Sequence, residues 1–267
     1  METKELSRGD ASAEPDVRFE VAFPERQPGD QDEEWCEVRL NGVRKRIRFH
    51  DYHELYSIPG LYEYLFYEKL KCSSPATVCS LLSTLMERDR VEPAELRVLD
   101  VGAGNGMVGE ELKKLGVGAV TGVDIIEEAA EAAGRDRPGL YDDYMVADLT
   151  ALTADERARL QRGRFNCLTS VAALGYGDMP PLAFAVAHNL VSDGGWIAYC
   201  IKDRFLEDED SGFSQLVRRM LEEGVMEERA RHRYPHRNSV GGDPLHYVAM
   251  VAVKRTDVPA SWAQALA

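Results

Sequence analysis

Short apolar runs alternate with stretches of helical spacing between residues 96 and 254. The apolar runs predict seven strands, at 96–101, 119–124, 143–147, 165–171, 195–202, 226–234 and 245–254. The stretches between them predict helices at 106–115, 126–133, 153–161, 180–191 and 212–223. Strands and helices in alternation are typical of a parallel sheet that helices cover on both faces. The pattern therefore predicts an α/β domain.

The region before residue 50 has a different pattern, in which apolar and polar residues alternate with the period of a half-buried strand. Two such runs flank Asn41-Gly42, a pair that tolerates the positive φ angles of a type I′ turn. We therefore predict a β-hairpin over residues 35–49 and a third strand over residues 17–23.

Helical spacing returns between the hairpin and the α/β domain. Residues 60–72 predict one helix, and Ser74-Pro75 supplies the N-cap and first-turn proline of another that ends near Arg88. Residues 1–16 are polar and aperiodic, which predicts a disordered acidic tail. The chain thus divides into a tail at 1–16, an appendage at 17–92, a main domain at 93–256 and a C-terminal tail at 257–267.

The charge balance narrows the range of partners. The 267 residues carry a net charge of −14, and residues 1–34 hold eleven acidic against four basic residues. Binding to nucleic acid requires a basic surface, so we expect no nucleic-acid partner. We interpret the basic cluster Arg44-Lys45-Arg46 as the solvated face of the hairpin, with an anion site as the alternative.

Membrane and metal sites are not predicted. No apolar run approaches the ~18 residues that a membrane span requires, and the polar N-terminus is unlike a secretory signal, so we expect a cytoplasmic protein without membrane contact. The five cysteines are scattered and form no C-x-x-C pair, which argues against disulfides and against structural zinc. No cluster of His, Asp and Glu has ligand spacing.

The predicted strand at 96–101 leads directly into a glycine-rich turn and a helix, an arrangement that brings backbone N–H groups close to a ligand. The segment Gly104-Asn-Gly106-Met-Val-Gly109 has the G-x-G-x-x-G spacing of a dinucleotide site, and Asp124 follows 20 residues after Gly104. The alternative is Asp100-x-Gly102-x-Gly104-x-Gly106, which has the D/E-x-G-x-G-x-G spacing of class I methyltransferases.

The register of the turn favours the methyltransferase interpretation. The first glycine after the strand is Gly102, and counting from there places Met107 where a dinucleotide fingerprint needs a third small residue. Asp100 would repel a pyrophosphate at the end of the strand, whereas it would attract the ammonium group of a methionine moiety directly or through water.

Over about residues 60–255 the chain resembles the class I, Rossmann-like S-adenosylmethionine-dependent methyltransferases of the small-molecule type. The segments that carry the resemblance, in the family's order, are Val120–Ile125, Val146–Leu149, Phe165–Val171, Gly194–Tyr199 and His246–Val253. The resemblance implies a seven-stranded, mostly parallel sheet flanked by helices, with the last strand antiparallel. It also implies S-adenosyl-L-methionine as cofactor and S-adenosyl-L-homocysteine as product.

The resemblance assigns roles to single residues. Asp124 would accept hydrogen bonds from both ribose hydroxyls, Ile125 would pack on the adenine, and Asp148 would meet the adenine amino group. The predicted cofactor-binding residues are Asp100, Gly102, Ala103, Gly104, Asn105, Asp124, Ile125, Asp148, Leu149 and Ser170.

The acceptor side is predicted from topology, because ligands bind outside the carboxyl ends of parallel strands. The segment His50–Tyr56 resembles the N-terminal lid of small-molecule methyltransferases, which makes the appendage a predicted lid and a candidate homodimer element. Candidate substrate contacts are Tyr56, Tyr176, Arg204, Tyr234, His236 and His246. No general base is assigned; the candidates are His53, Tyr176 and His236.

Three functions are compatible with these observations. The first is methyl transfer to an oxygen, nitrogen or carbon atom of a small biosynthetic molecule. The second keeps the fold but uses the bound sulfonium for cyclisation or decarboxylation, since fold does not fix function. The third is a non-catalytic cofactor-binding protein whose hairpin docks a partner. Intact cofactor motifs favour the two enzymes over the third.

Overall fold

A computed structural model describes residues 2–4, 19–25, 31–174, 179–207, 212–259 and 261–262. The main domain contains a seven-stranded sheet whose strand order is β10-β11-β9-β8-β5-β6-β7. Its strands are β5 (Arg97–Val101), β6 (Ala119–Asp124), β7 (Asp143–Val146), β8 (Phe165–Leu174), β9 (Val191–Lys202), β10 (Met226–Asn238) and β11 (Pro244–Lys254). Only β11 runs antiparallel to its neighbours within this sheet. The predicted α/β class and mostly parallel seven-stranded sheet are confirmed.

Six helices accompany these strands: α4 (Met107–Lys114), α5 (Glu127–Asp136), α6 (Ala154–Arg162), α7 (Pro181–Asn189), α8 (Asp203–Glu207) and α9 (Gly212–Glu222). Five of them lie within two or three residues of the predicted bounds, and α8 was not predicted. The strand β10 extends to Asn238, beyond the predicted 234, because a bulge between Pro235 and Arg237 preserves its pairing with β11. Likewise β9 begins at Val191, four residues before the predicted 195.

The position of β11 distinguishes this sheet from a dinucleotide-binding one. The antiparallel strand β11 lies between β9 and β10 and pairs with both. Dinucleotide-binding domains instead have six parallel strands in the order 3-2-1-4-5-6. The sheet therefore supports the methyltransferase interpretation of the glycine-rich turn.

The appendage begins with a four-stranded antiparallel sheet of β1 (Glu2–Lys4), β2 (Phe19–Ala22), β3 (Trp35–Leu40) and β4 (Val43–Arg48). Asn41 and Gly42 have φ angles of +50° and +81°, as the predicted type I′ hairpin requires. The strand β1 occupies three residues that were assigned to a disordered tail, while residues 5–16 of that predicted tail lie outside the described residues.

Helices of the appendage follow the hairpin: α1 (Tyr52–Ser57), α2 (Leu61–Glu63), a π-helix (Tyr64–Lys69) and α3 (Ser74–Asp89). Two 3₁₀ turns lie at Gln31–Glu33 and Pro93–Glu95. The single helix predicted over 60–72 is thus an α-helical turn that continues as a π-helix, in which the Leu70 N–H donates to the Leu65 carbonyl. Periodicity of 3.6 cannot reveal the extra residue in such a turn.

Three apolar cores support these layers. One lies on each face of the main sheet, centred on Ile197 and on Ala198 of β9. The third fills the space between the appendage sheet and the π-helix and includes Ile47, Phe49 and Leu65. No helix among the described residues is long and apolar enough to cross a membrane.

A buried ion pair joins the appendage to the end of the β10–β11 hairpin. Arg237 donates to the Glu34 carboxylate at 2.6 Å, and the exposed fractions of the two side chains are 3% and 4%. The second Glu34 oxygen accepts from the Val240 N–H at 2.7 Å. Nearby, Gln31 donates to the Tyr247 hydroxyl at 3.1 Å. The appendage is therefore fixed to the main domain through polar contacts that are buried from solvent.

We expect Glu34→Gln to lower the free energy of unfolding by about 3–5 kcal/mol, because it leaves the buried Arg237 guanidinium without a counter-charge. Urea unfolding followed by circular dichroism measures the change. The control is Glu20→Gln, which removes an exposed pair with Arg39 and should cost no more than about 1 kcal/mol. Equal effects of the two substitutions would contradict a structural role for the buried pair.

Candidate functional site

A cavity of ≈ 260 Å³ opens at the carboxyl ends of the parallel strands. Four adjacent parallel strands each contribute a wall: Gly102 follows β5, Asp124 ends β6, Asp148 follows β7 and Ala172 lies near the end of β8. Side chains of the appendage, Tyr52, Tyr56 and Tyr62, close the cavity from the other side. This is the place where open α/β sheets bind ligands.

The glycine-rich turn forms the floor of the cavity in a conformation that requires glycine. Gly102, Gly104 and Gly106 have φ angles of +71°, +55° and +94°. A Cβ atom on Gly102 would lie 2.5 Å from the Cβ of Ala173, and one on Gly104 would overlap the Tyr56 hydroxyl. Glycine is therefore required at both positions, because Ala173 and Tyr56 pack closely against the turn, and Gly102 also lines the cavity.

Asp124 connects the end of β6 to the glycine-rich turn. One carboxylate oxygen accepts from the Gly104 N–H at 2.9 Å, and the other accepts from the Ile126 N–H at 3.1 Å. Burial raises the pKa of this carboxyl, and backbone N–H donors, Gly104 first among them, oppose the rise. Because a carboxylate has about four acceptor sites, two remain for hydroxyl donors in the cavity.

The next two walls supply one apolar and one polar surface. Ile125 is 61% exposed and lines the cavity, an unusual exposure for a large aliphatic side chain. Across the cavity, Leu149 is buried and Asp148 faces solvent with one oxygen held by the Thr150 backbone and hydroxyl at 2.8 and 2.7 Å. The pair Ile125 and Leu149 fits the two sides of a flat apolar ring.

Asp100 lies beneath the turn and does not line the cavity. Its carboxylate is completely buried and accepts from the Thr169 hydroxyl at 2.7 Å and from the Tyr141 hydroxyl at 2.8 Å. Desolvation raises the pKa of Asp100 to about 6, against the lowering effect of these two donors. The structure therefore places Asp100 behind the cavity wall, held by Thr169 and Tyr141. Its contact with the ammonium group of the cofactor, directly or through water, stays a prediction.

Three further residues that were predicted to bind the cofactor, Ala103, Asn105 and Ser170, are buried and do not line the cavity. Asn105 donates to the Glu63 carboxylate at 3.1 Å, while its own buried side-chain oxygen has no partner. Arg137 completes this contact by donating to Glu63 at 2.8 Å and to the Asn105 carbonyl at 3.2 Å. The turn is thus tied to helix α2 of the appendage.

Some of the residues predicted to contact the acceptor or to act as base line a cavity, and others do not. Tyr56 lines the cavity, as expected of a lid residue. His236 instead lines a second, smaller cavity. The remaining described candidates, His53, Arg204, Tyr234 and His246, line neither of the two cavities, and Tyr176 lies outside the described residues.

Physical reasons account for these placements. The side chain of His53 points to solvent beside Glu54, whereas Tyr234 is buried with its hydroxyl 2.6 Å from the Ser74 hydroxyl. Arg204 and His246 are on α8 and β11, away from the cavity lining.

Three cavity residues, His50, Tyr52 and Tyr62, were not among the predicted candidates. His50 and Tyr52 belong to the segment that resembles a lid, so the resemblance indicated the segment but not the side chains. Tyr62 precedes the π-helix, whose altered pitch hides which side chains face inward. Among the residues that the structure describes, no three His, Cys, Asp or Glu side chains are grouped to hold a metal ion.

Comparison with known proteins agrees with this geometry. Residues 73–240 match the sequence profile of a methyltransferase domain. The ubiquinone biosynthesis O-methyltransferase of Thiobacillus denitrificans is 33% identical over 116 residues, which cover 43% of this chain and 48% of the relative. The corresponding Burkholderia ambifaria protein is 28% identical over 161 residues, covering 59% and 67%. The chain spans about half the length of the first curated relatives that it matches.

Similarity to solved structures is found at low sequence identity. A Pyrococcus horikoshii protein provisionally assigned as an RNA methyltransferase is 13% identical with a TM-score of 0.50, over 76% of this chain and 98% of that one. A Synechocystis magnesium protoporphyrin IX methyltransferase with bound S-adenosylhomocysteine is 15% identical with a TM-score of 0.49, over 71% and 87%.

The fold and the cavity define a Rossmann-like domain of the S-adenosylmethionine-binding class. Because the methyltransferase profile matches more than half of its length, the chain belongs to the methyltransferase-domain family. The cavity residues fit the cofactor of this class: a carboxylate with free acceptor sites suits a ribose diol, Ile125 and Leu149 suit an adenine ring, and the Gly102 backbone at the cavity wall suits the amino-acid part.

The pKa of Asp100 predicts a dependence of stability on pH. The folded value of about 6 exceeds the unfolded value of 3.8, so the contribution of Asp100 to stability is complete below pH 3.8 and is lost as pH rises through about 6. We expect the stability of the unmodified protein, relative to Asp100→Asn, to fall by roughly 2–2.5 kcal/mol between pH 4 and pH 7. Urea unfolding at both pH values measures it.

Asp142→Asn provides the control of opposite sign. Hydrogen bonds from the Val120 N–H and from Lys113 lower the pKa of Asp142. The unmodified protein should therefore gain stability relative to Asp142→Asn as pH rises through the acid range. A pH-independent difference between the unmodified protein and Asp100→Asn would show that the buried carboxyl does not titrate as described.

Proposed function

We propose that this protein transfers the methyl group of S-adenosylmethionine to a small-molecule acceptor. The observation that carries the proposal is the set of three walls around one cavity: the carboxylate of Asp124, the exposed Ile125 and the glycine backbone at Gly102. Family membership and the sheet order with an inserted antiparallel strand support it.

Each wall would hold one part of the cofactor. Asp124 accepts from the ribose hydroxyls with the acceptor sites that Gly104 and Ile126 leave. Ile125 and Leu149 enclose the adenine, and Asp148 accepts from its amino group with the oxygen that Thr150 does not use. The turn at Gly102 contacts the amino-acid part through the backbone.

The bound cofactor supplies an activated methyl group on a sulfonium sulfur. The residues of this chain then have to align an acceptor atom with that group and exclude water, a contribution of up to roughly 7–11 kcal/mol in favourable models. Tyr52, Tyr56 and Tyr62 are suited to this task because their rings pack in series, with centroids 6.2 and 4.7 Å apart, and close the cavity on the acceptor side.

A small acceptor is favoured by the relatives and by the charge of the chain. The matched relatives bear the name ubiquinone biosynthesis O-methyltransferase, which describes biosynthetic oxygen methylation in those proteins. The net charge of −14 disfavours polyanionic acceptors. Exclusion of nucleic acid, a cytoplasmic location and a homodimer through the appendage remain predictions from the sequence.

We expect Asp124→Ala to weaken binding of S-adenosylhomocysteine by at least about 100-fold, since two hydrogen bonds to a charged group are lost. Isothermal titration calorimetry measures the affinity. Glu131→Ala is the matched control, because Glu131 is an exposed carboxylate on α5 outside the cavity lining, and it should bind as the unmodified protein does.

Transfer chemistry is tested with methyl-labelled cofactor and a panel of small hydroxyl, amine and carbon acceptors. Label in the acceptor and stoichiometric S-adenosylhomocysteine support methyl transfer. If the acceptor is converted while the cofactor is not consumed, methyl transfer is refuted, and the result supports cyclisation or decarboxylation assisted by the bound sulfonium. Tight binding of NADH in place of S-adenosylhomocysteine would refute the assignment of the site.

A further inference from the structure

A second cavity of ≈ 30 Å³ adjoins the first on the side of the appendage. Four residues, His50, Tyr52, Tyr62 and Ala172, line both cavities. The other walls of the second cavity come mainly from the appendage and from the end of the β10–β11 hairpin. The junction of the two cavities therefore lies between the proposed cofactor site and a wall to which the appendage and the main domain both contribute residues.

Aromatic rings form most of that wall. The ring centroid of Phe66 lies 4.8 Å from that of Tyr62 and 5.4 Å from that of Phe49. On the opposite side, the His236 ring stacks on Tyr247 with centroids 4.0 Å apart. Rigid rings that are already packed against one another offer flat contact surfaces. The wall is thus suited to a flat ring rather than to a flexible chain.

Arg237 lines the second cavity but is paired with a buried carboxylate beside it. The Arg237 guanidinium is neutralised by Glu34 at 2.6 Å. Burial, together with the nearby charges of Arg237 and Lys202, holds the pKa of His236 well below its ordinary 6.5, so its ring is neutral at pH 7. A carboxylate brought into this cavity would lose hydration and would have to compete with Glu34 for the Arg237 guanidinium. The wall therefore favours an uncharged ligand.

His50 lies at the junction, directly after β4 and the hairpin core residue Phe49. Among the described residues it is the imidazole that lines both cavities, and its ring meets Tyr52 edge-on at a centroid distance of 5.7 Å. The unprotonated nitrogen of a neutral imidazole can accept a proton. A hydroxyl acceptor loses a proton when it is methylated, so a base at this junction could accept that proton.

We propose that the junction of the two cavities binds a small, uncharged hydroxy-aromatic acceptor and that His50 takes its hydroxyl proton. This inference rests on the proposed methyl transfer. The acceptor oxygen forms the new O–CH₃ bond as the C–S bond breaks, and the electron pair of that bond stays on sulfur. The O–H proton passes to an imidazole nitrogen of His50 and from there to solvent. The second cavity has room for about two water molecules, enough for a small ring substituent.

The acceptor class is tested by calorimetry on the full chain saturated with S-adenosylhomocysteine. Phenol should bind about tenfold more tightly than cyclohexanol, which has the same size but no flat π face. It should also bind more tightly than 4-hydroxybenzoate, which carries a carboxylate. Equal binding of the three compounds, or absence of phenol binding, overturns the proposal. If S-adenosylhomocysteine itself does not bind, it is the proposed function that fails.

The role of His50 is tested by His50→Gln with phenol as acceptor. The substitution should lower kcat by about 10²–10⁴-fold and leave the Kd for S-adenosylhomocysteine unchanged. The lost activity should return as pH rises from 7 to 9, because the reactive phenolate then forms in solution. His232→Gln, at an exposed histidine on β10, is the control and should match the unmodified protein. An unchanged kcat, or a loss that high pH does not recover, overturns the role of His50.

Discussion

The buried ion pair between Glu34 and Arg237 is the constraint on which the arrangement of the site depends. A buried pair contributes little net stability, because desolvation offsets most of the attraction, but it tolerates few alternative geometries. Here it fixes the 3₁₀ turn of the appendage against the end of the β10–β11 hairpin. His236 and Tyr247 of the β10–β11 hairpin line the second cavity together with His50, Tyr52 and Tyr62 of the appendage. The ion pair therefore holds together the two elements between which the second cavity lies.

A second connection acts nearer to the cofactor cavity. Arg137 donates to Glu63 of the appendage and to Glu110 of α4, both at 2.8 Å, and reaches the backbone of the glycine-rich turn at Asn105. The same guanidinium therefore contacts the lid and the floor of the site. Since Asp124 already accepts from Gly104 and Ile126, the floor is ordered by the protein's own contacts, and little ordering of the backbone remains to oppose ligand binding.

Most of the fold could be predicted because its signals are local. Apolar runs and helical spacing gave all seven strands of the main sheet, and Asn41-Gly42 gave the hairpin, since each depends on residues a few positions apart. The extension of β10 to Asn238 could not be predicted, because it depends on a bulge and on pairing with β11. The π-helix was hidden for a related reason: its extra residue per turn breaks the period on which the prediction relied.

The sequence could predict the residues that line the proposed cofactor cavity. It could not predict the residues that line the proposed acceptor site. Asp124, Ile125 and Asp148 follow strands, so strand order and spacing were enough to place them at one edge. By contrast, the choice of His50 over His53 depends on which side of a short segment faces the cavity, a tertiary property. Asp100 occupies the predicted place at the end of its strand, but its side chain turns inward to Thr169 and Tyr141.

The division of the cavity walls between two structural units has a consequence for divergence within such a family. The cofactor walls belong to the turns of the central sheet, whereas the walls of the second cavity belong to the appendage and to the hairpin end. Substitutions at Phe49, Phe66 or Tyr247 would reshape the second cavity without touching the turns around Gly102 or Asp124. Selection could therefore adapt one half of the site to new molecules while leaving the other half, and the chemistry it supports, as it was.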